Sequence, residues 1–458
     1  MNDDSDDDAR DDDQLGEAYE YDDGDEVAAG EEDELVLSSS RVVLPDGERP
    51  ATIVVRDGVI AAIEPYGPER GIDFGSRALL PGLVDPHVHL NEPGRTEWEG
   101  FASGTAAAAA GGVTTVVDMP LNSSPVTTTV AALAVKRSAS AGQLFVDVAF
   151  HAGLVPGNIG EILPLLDAGV RGVKAFLCHS GIDEFPAATR AELEAAMPLL
   201  AERGVPLLAH AEIATPQPPL ADPRRYADYL ASRPPEFERR AIELLVDLCR
   251  KTGCRTHVVH LADADCLPLL ADAKREGLPL TVETSPHYLC FAAEEIADGA
   301  TEFKCAPPIR SADNRERLWQ GLRDGVIDLV ASDHSPCPPT MKARDSGRFD
   351  EAWGGISSLQ LGLPIMATEA TRRGFALGDV VRWMSEAPGR LAGVATGLRV
   401  GAPANIVVFA ADRQWDVDGA ALEHRHPLTP YHGRRLHGVV QNTFLRGTLT
   451  GIPRGRCV

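Results

Sequence analysis

Apolar residues in this chain come in short runs rather than long stripes. Between residues 79 and 392 the runs ALLPGLVD, GVTTVVDM, FVDVAFHAG, GVRGVKAFL, PLLAH, THVVHL, LTVETSP and IDLVASD follow one another. They alternate with Ala-, Glu- and Arg-rich segments such as RAELEAAMPLLAERG. Short continuous apolar runs suit strands buried on both faces, and the segments between them have helical spacing. Eight such strand-then-helix units predict an α/β fold, a (β/α)8 TIM barrel over residues 79–392.

The two ends have another texture. LVLSSSRVVLPDGERPATIVVRDGVIAAIEPYG (35–67), GAPANIVVFAADRQWDVD (401–418) and GVVQNTFLRGTLTG (438–451) alternate short β-like runs with Gly and Asp turns. Residues 35–78 and 393–458 are therefore expected to form one small β-sandwich domain from both chain ends, around the barrel.

Charge changes the picture only at the start. Of the formal net charge of -25, residues 1–34 carry 18 Asp or Glu against the single Arg10. That stretch has almost no large aliphatic side chains to offset the entropy of ordering, so a disordered acidic tail is expected. Such acidity disfavours nucleic acid as a partner. No leader-like or membrane-spanning apolar run is present, and the eight cysteines form no CxxC pair. A cytoplasmic protein with reduced thiols, not bound to membrane, is the expectation.

The polar residues that interrupt the apolar runs sit at their C-terminal ends: His87, His89, Asp118, Lys174, His210, His260, Ser285 and Asp333. In a (β/α)8 barrel that rim is where the active site is built. His87 and His89, two apart on one strand, face the same way. Four imidazoles and the Asp333 carboxylate suit a borderline divalent ion such as Zn2+, and they exceed what one tetrahedral site needs. Two ions are the expectation. An ammonium cannot ligate, so Lys174 would act as the carbamate formed with CO2, a carboxylate long enough to bridge both cations. Paired ions lower the pKa of a shared water and polarise a carbonyl, which points to hydrolysis by a bridging hydroxide with Asp333 as the proton carrier. His257, three residues before His260, is expected on the opposite side of its strand in a structural role.

His87-x-His89 after PGLVD, Lys174 in GVKAFL, His210 in AHAE, His260 in VVHL and Asp333 in SDHSPC resemble the cyclic amidohydrolases of the amidohydrolase superfamily. NEPGRTEWEGF (91–101), MPLNS (119–123), SGIDEFP (180–186), FKCAPPIR (303–310) and AWGGISSLQ (352–360) are most similar to its allantoinase branch. The resemblance implies a binuclear centre on the six residues named, a carboxylated Lys174, a homotetramer, and the ring opening of a small-molecule substrate, allantoin, to allantoate. It also implies that backbone at Ala306 and Gly354 holds the ring, with Asn91, Arg95 and Asn122 near the ureido end. LADAD after His260 and Pro286 in SPHY depart from the pattern without removing a ligand. His179 stands where hydantoinases place an oxyanion-stabilising Tyr, so His179 or Ser180 would have to supply that donor. A hydantoinase or dihydropyrimidinase is the nearest alternative. HVHLN, with Asn91 where dihydroorotases carry Arg, fits that activity less well, and a non-catalytic scaffold on the same barrel would be expected to lack ligands.

Overall fold

The structure is a computed structural model that describes residues 34–458. The expected acidic tail, up to Asp33, lies outside the described residues.

Eight parallel strands form the barrel: β1 (Leu83–Val88), β2 (Val113–Asp118), β3 (Asp147–Phe150, resuming as Ala152–Gly153), β4 (Val173–Phe176), β5 (Leu207–His210), β6 (Thr256–Val258), β7 (Leu280–Thr284) and β8 (Leu329–Val330). The ladders run in chain order, β1 through β3 and then β3 through β8. A parallel bridge from Val88 to His334 closes the ring beyond the end of β8. These strands bury nearly every residue, since helices cover their outer faces.

The helices begin and end where local chemistry dictates. Thr189 and Glu192 form a capping box at the head of Arg190–Arg203, and Gly204 ends that helix in the left-handed region with φ 64°. Glu236 and Glu238 open the helix Glu236–Thr252 while Arg250 and Lys251 close it, complementing its dipole.

Both chain ends meet in one eight-stranded sheet. Its order is 448–449, 435–445, 406–416, 78–81, 35–44, 47–56 and 59–64, with 72–73 beside 35–44. Bulges between Ser39 and Val42 and between Ala410 and Gln414 bend the sheet. It encloses a core of its own that includes Leu37, Ile53, Ile60, Ile406, Val408 and Phe444.

One apolar run divides differently from its reading as a single strand. In ALLPGLVD, Ala78–Pro81 pairs with strands of the end sheet, and only the residues from Leu83 onward enter the barrel. Proline and glycine at 81–82 interrupt the ladder, so the chain changes sheets there.

Candidate metal centre and active site

The short strands deliver their polar residues to one rim. His87 lies in β1 and His89 just past it, Lys174 is in β4, His210 ends β5, and His260 and Asp333 follow β6 and β8. All six side chains are buried. His87 Nε2 stands 3.2 Å and His89 Nε2 3.7 Å from Asp333 Oδ1. Donor atoms of these three lie within 4.8 Å of one another, close enough to share a metal ion. A second convergence places His210 Nδ1 2.9 Å from His260 Nε2. The His87 and His260 rings, 5.5 Å apart, join the two groups. The charge of Lys174 acts on His89, His210, His260 and Asp333 alike, which sets the amine among both.

Burial decides the protonation states. It drives His89 and His260 well below the usual imidazole range and His210 to about 4, so these rings are neutral, the form that ligates. Burial also pulls Lys174 down to about 8, against the opposing carboxylates of Glu283 and Asp333. Lys174 Nζ is buried without a hydrogen-bond partner, as is His260 Nδ1. A buried ammonium with nothing to donate to is costly, whereas a neutral amine is the nucleophile that CO2 requires. Asp333 is raised by burial and pulled back by His87 and Lys174. The donor set thus fits divalent ions.

A cavity of about 580 Å³ opens onto this cluster, and Asn122, Ala306 and Gly354 line it with the six. Asn91 and Arg95 lie outside the lining. The Asn91 side chain donates to the Pro336 carbonyl at 3.4 Å and its backbone carbonyl accepts from the Arg95 amide, while Arg95 lies 5.2 Å over the Trp98 ring and pairs with Glu184. Asn122 reaches His89, with Nδ2 3.4 Å from Nδ1. Ser180 donates its hydroxyl to the carbonyls of Phe185 and Ile182, which leaves His179 on the cavity wall.

Residues 78–450 match the model of the amidohydrolase family. This chain belongs to the amidohydrolase family. Among curated relatives, this amidohydrolase is 51% identical to the allantoinase of Streptomyces avermitilis, over 90% of this chain and 94% of that one. It is 44% identical to the allantoinase of Arabidopsis thaliana, over 91% and 88%. Among solved structures, the L-hydantoinase (dihydropyrimidinase) of Arthrobacter aurescens superposes with a TM-score of 0.83 at 30% identity, covering 93% of this chain and 97% of that one.

The amidohydrolase holds its rim with carboxylates that the strand-end pattern does not single out. Glu283, in β7, accepts from His87 Nδ1 at 2.5 Å, His257 Nε2 at 3.0 Å and the His260 amide at 3.0 Å. His257 therefore faces the same interior as the cluster, contrary to the two-residue alternation of a strand. The reason is backbone: His260 lies beyond the strand with φ 40°, so alternation no longer sets its direction. Glu212 accepts from His210 Nε2 at 2.8 Å and is clamped by Arg233. Such partners fix the tautomer and aim of each imidazole. Asp118 is not with the ligands: it pairs with buried Lys136 at 2.5 Å and accepts from the Leu90 amide at 2.8 Å, bracing the turn after His89. Asn91, Asn122, His260 and Asp333 all have positive φ, strain concentrated at the rim. The sequence signal available for Glu283 was a carboxylate within an otherwise apolar run.

Proposed function

We propose that this chain opens the hydantoin ring of allantoin by hydrolysis of a ring amide C–N bond, giving allantoate. The observation that carries the reading is the convergence of four imidazoles, the unpartnered Lys174 amine and Asp333 on one cavity, in a chain similar to allantoinases over nine-tenths of its length. His87, His89, His210, His260, Asp333 and Lys174 as its carbamate are the residues that would hold two divalent ions, with Zn2+ the proposed metal. Bound there, the ions would activate water and polarise the substrate carbonyl.

The chain's own residues supply the rest. Glu283 and Glu212 hold His87 and His210 in the tautomers they present to the centre. Asp333 takes a proton from the attacking water and returns it to the ring nitrogen as the C–N bond breaks; a carboxylate raised by burial is the better base for that transfer. Backbone at Ala306 and Gly354 would meet the N–H and C=O groups of a small polar ring, with Asn122 toward its ureido end. His179, which also lines the cavity, is the donor proposed for the oxyanion.

Among the described residues no helix is long and apolar enough to cross a membrane. Eight unpaired cysteines, seven of them buried, favour a reducing compartment, and the cytoplasm is the compartment proposed. A homotetramer is the proposed assembly, on the family resemblance, and light scattering of the purified protein tests it. The deciding experiment for function is a turnover panel of allantoin, hydantoin, dihydrouracil and dihydroorotate on metal-reconstituted protein. Allantoin should give the highest kcat/KM. Preference for dihydrouracil or hydantoin would replace this reading with the hydantoinase one, and turnover of none would leave a scaffold.

A further inference from the structure

Only six lysines occur in the chain, and one of them stands half-buried in the cavity wall with donor capacity left over. Lys304 belongs to the segment that also carries Ala306, and its Nζ donates to the Ala352 carbonyl at 2.6 Å. The ammonium has three protons to give, and that carbonyl is the one acceptor it reaches among the described residues. No carboxylate among them pairs with it. Its charged neighbours are Lys342, Arg233 and, more weakly, Asp350, so burial first and then two cations pull its pKa to about 8. Tyr229 offers a ring face at 5.4 Å, which favours a cation there but accepts no proton. A poorly paired ammonium on a cavity wall carries a desolvation cost unless something entering the cavity accepts from it.

Its position says which part of a ligand that would be. Lys304 lines the same cavity as the cluster but makes no hydrogen bond or ion pair with any of its six residues; the contacts of its ammonium are the Ala352 carbonyl and the Tyr229 ring. The ammonium thus belongs to the cavity wall rather than to the cluster where the amide is cut. A substrate whose ring amide lies at that cluster turns its substituent toward the remaining wall. For allantoin the substituent is a ureido group, whose only strong acceptor is its carbonyl oxygen.

We infer that Lys304 is a specificity-determining residue, its ammonium donating to the carbonyl of the substrate's ureido arm and so separating arm-bearing rings from bare hydantoins. The assignment rests on the proposed allantoin reaction. The neighbouring wall is built to keep that ammonium still. Lys342 donates to the carbonyls of Trp353, at 3.0 Å, and of Gly355, while the Gly355 amide donates to the Lys304 carbonyl at 2.8 Å. The segment 352–355 is thereby tied to Lys304 from both sides, and one proton of Lys304 fixes the direction of the other two.

The test compares metal-loaded wild type with Lys304→Met, which keeps the length of the stem but cannot donate, and with Lys304→Arg, which keeps the charge. Two quantities are read: kcat/KM for allantoin, and the inhibition constant of hydantoin, a ring without the arm. Losing a charge-assisted hydrogen bond should lower kcat/KM for allantoin about 10- to 100-fold in Lys304→Met. The hydantoin constant should stay within about threefold of wild type, and Lys304→Arg should recover part of the loss. Weakening of both ligands by the same factor would mean that the Lys304→Met substitution only deforms the wall and would overturn the assignment, as would an unchanged kcat/KM for allantoin. Wild type that fails to open allantoin at all would overturn the proposed function and this inference together.

Discussion

Lys174 has the least ambiguous chemistry of any residue in the barrel. It is about 1% exposed, its Nζ has no hydrogen-bond partner, and burial already draws its pKa to about 8. Lys174→Ala should therefore lose bound metal as well as activity, and short carboxylic acids such as acetate should restore part of both by replacing the missing bridge. Metal content by elemental analysis, measured with and without bicarbonate, checks this. A Lys174→Ala protein that retains two ions per chain would end the carbamate proposal. Residues of this kind are legible in a sequence because a His, Lys or Asp at the end of an apolar run stands out, although Asp118 shows that the same position can hold a structural ion pair. Glu283 and Glu212 are less legible: each is placed by a partner 196 or 21 residues away in the chain, to His87 and Arg233, and a one-dimensional pattern carries no record of such pairings. Asn91 and Arg95 show the converse. Polar residues in a loop beside the site can be turned away from the cavity, Asn91 toward the Pro336 carbonyl and Arg95 over the Trp98 ring.

At the scale of an element, the segment 352–355 does most to shape the cavity, and Gly355 is its fixed point. Gly355 has φ 135°, and a Cβ there would stand 2.2 Å from the Ser335 carbonyl oxygen. Ser335 in turn donates its hydroxyl to Asp333 Oδ1 at 3.0 Å, and its amide to the Ile356 carbonyl at 3.0 Å. Gly355→Ala must push apart the wall and the loop that aims Asp333. Displacement on the scale of 1 Å costs on the order of 100-fold in rate, so kcat/KM should fall roughly 10- to 100-fold with metal content unchanged. An alanine variant within about twofold of wild type would show that the wall and Asp333 are not mechanically coupled. Elements themselves were readable where the pattern was redundant, in eight apolar runs separated by Ala-, Glu- and Arg-rich segments such as RAELEAAMPLLAERG. They were not readable where two sheets compete for one run, as at Ala78–Pro81, because both destinations bury apolar residues equally well. Beyond a strand's last hydrogen bond the alternation also lapses, which is why His260 turns to the side that His257, within β6, already faces.

The whole molecule keeps its rim in place through segments distant in the chain. Arg425, from the C-terminal part, donates its amide to Glu99 at 3.1 Å, and Glu99 pairs with His334, the neighbour of Asp333. Arg446 reaches Asp147 at the start of β3 at 2.5 Å. Folding of the end sheet and folding of the barrel are coupled through these contacts, so stability is a property of both and its pH dependence is global. Burial holds His151, His287 and His424 neutral, each drawn from 6.5 to about 3. Their contribution to stability is complete above pH 6.5 and disappears as pH falls toward 3, since the unfolded chain binds those protons first. Asp85 and Glu238 run the other way: burial raises them to about 6 and about 7, so they stabilise most below their unfolded values of 3.8 and 4.5 and lose that as pH rises. Between pH 4.5 and 6 two carboxyl protons on the folded state oppose three imidazole protons on the unfolded one, and a net acid loss remains. His287 isolates the effect, since neither of its ring nitrogens has a hydrogen-bond partner. His287→Phe should leave the protein less dependent on pH, gaining about 2 kcal/mol relative to wild type between pH 7 and pH 5, at 1.36 kcal/mol per pKa unit. Denaturant unfolding at the two pH values measures it. An identical pH slope in wild type and variant would show that His287 takes up its proton in the folded state after all.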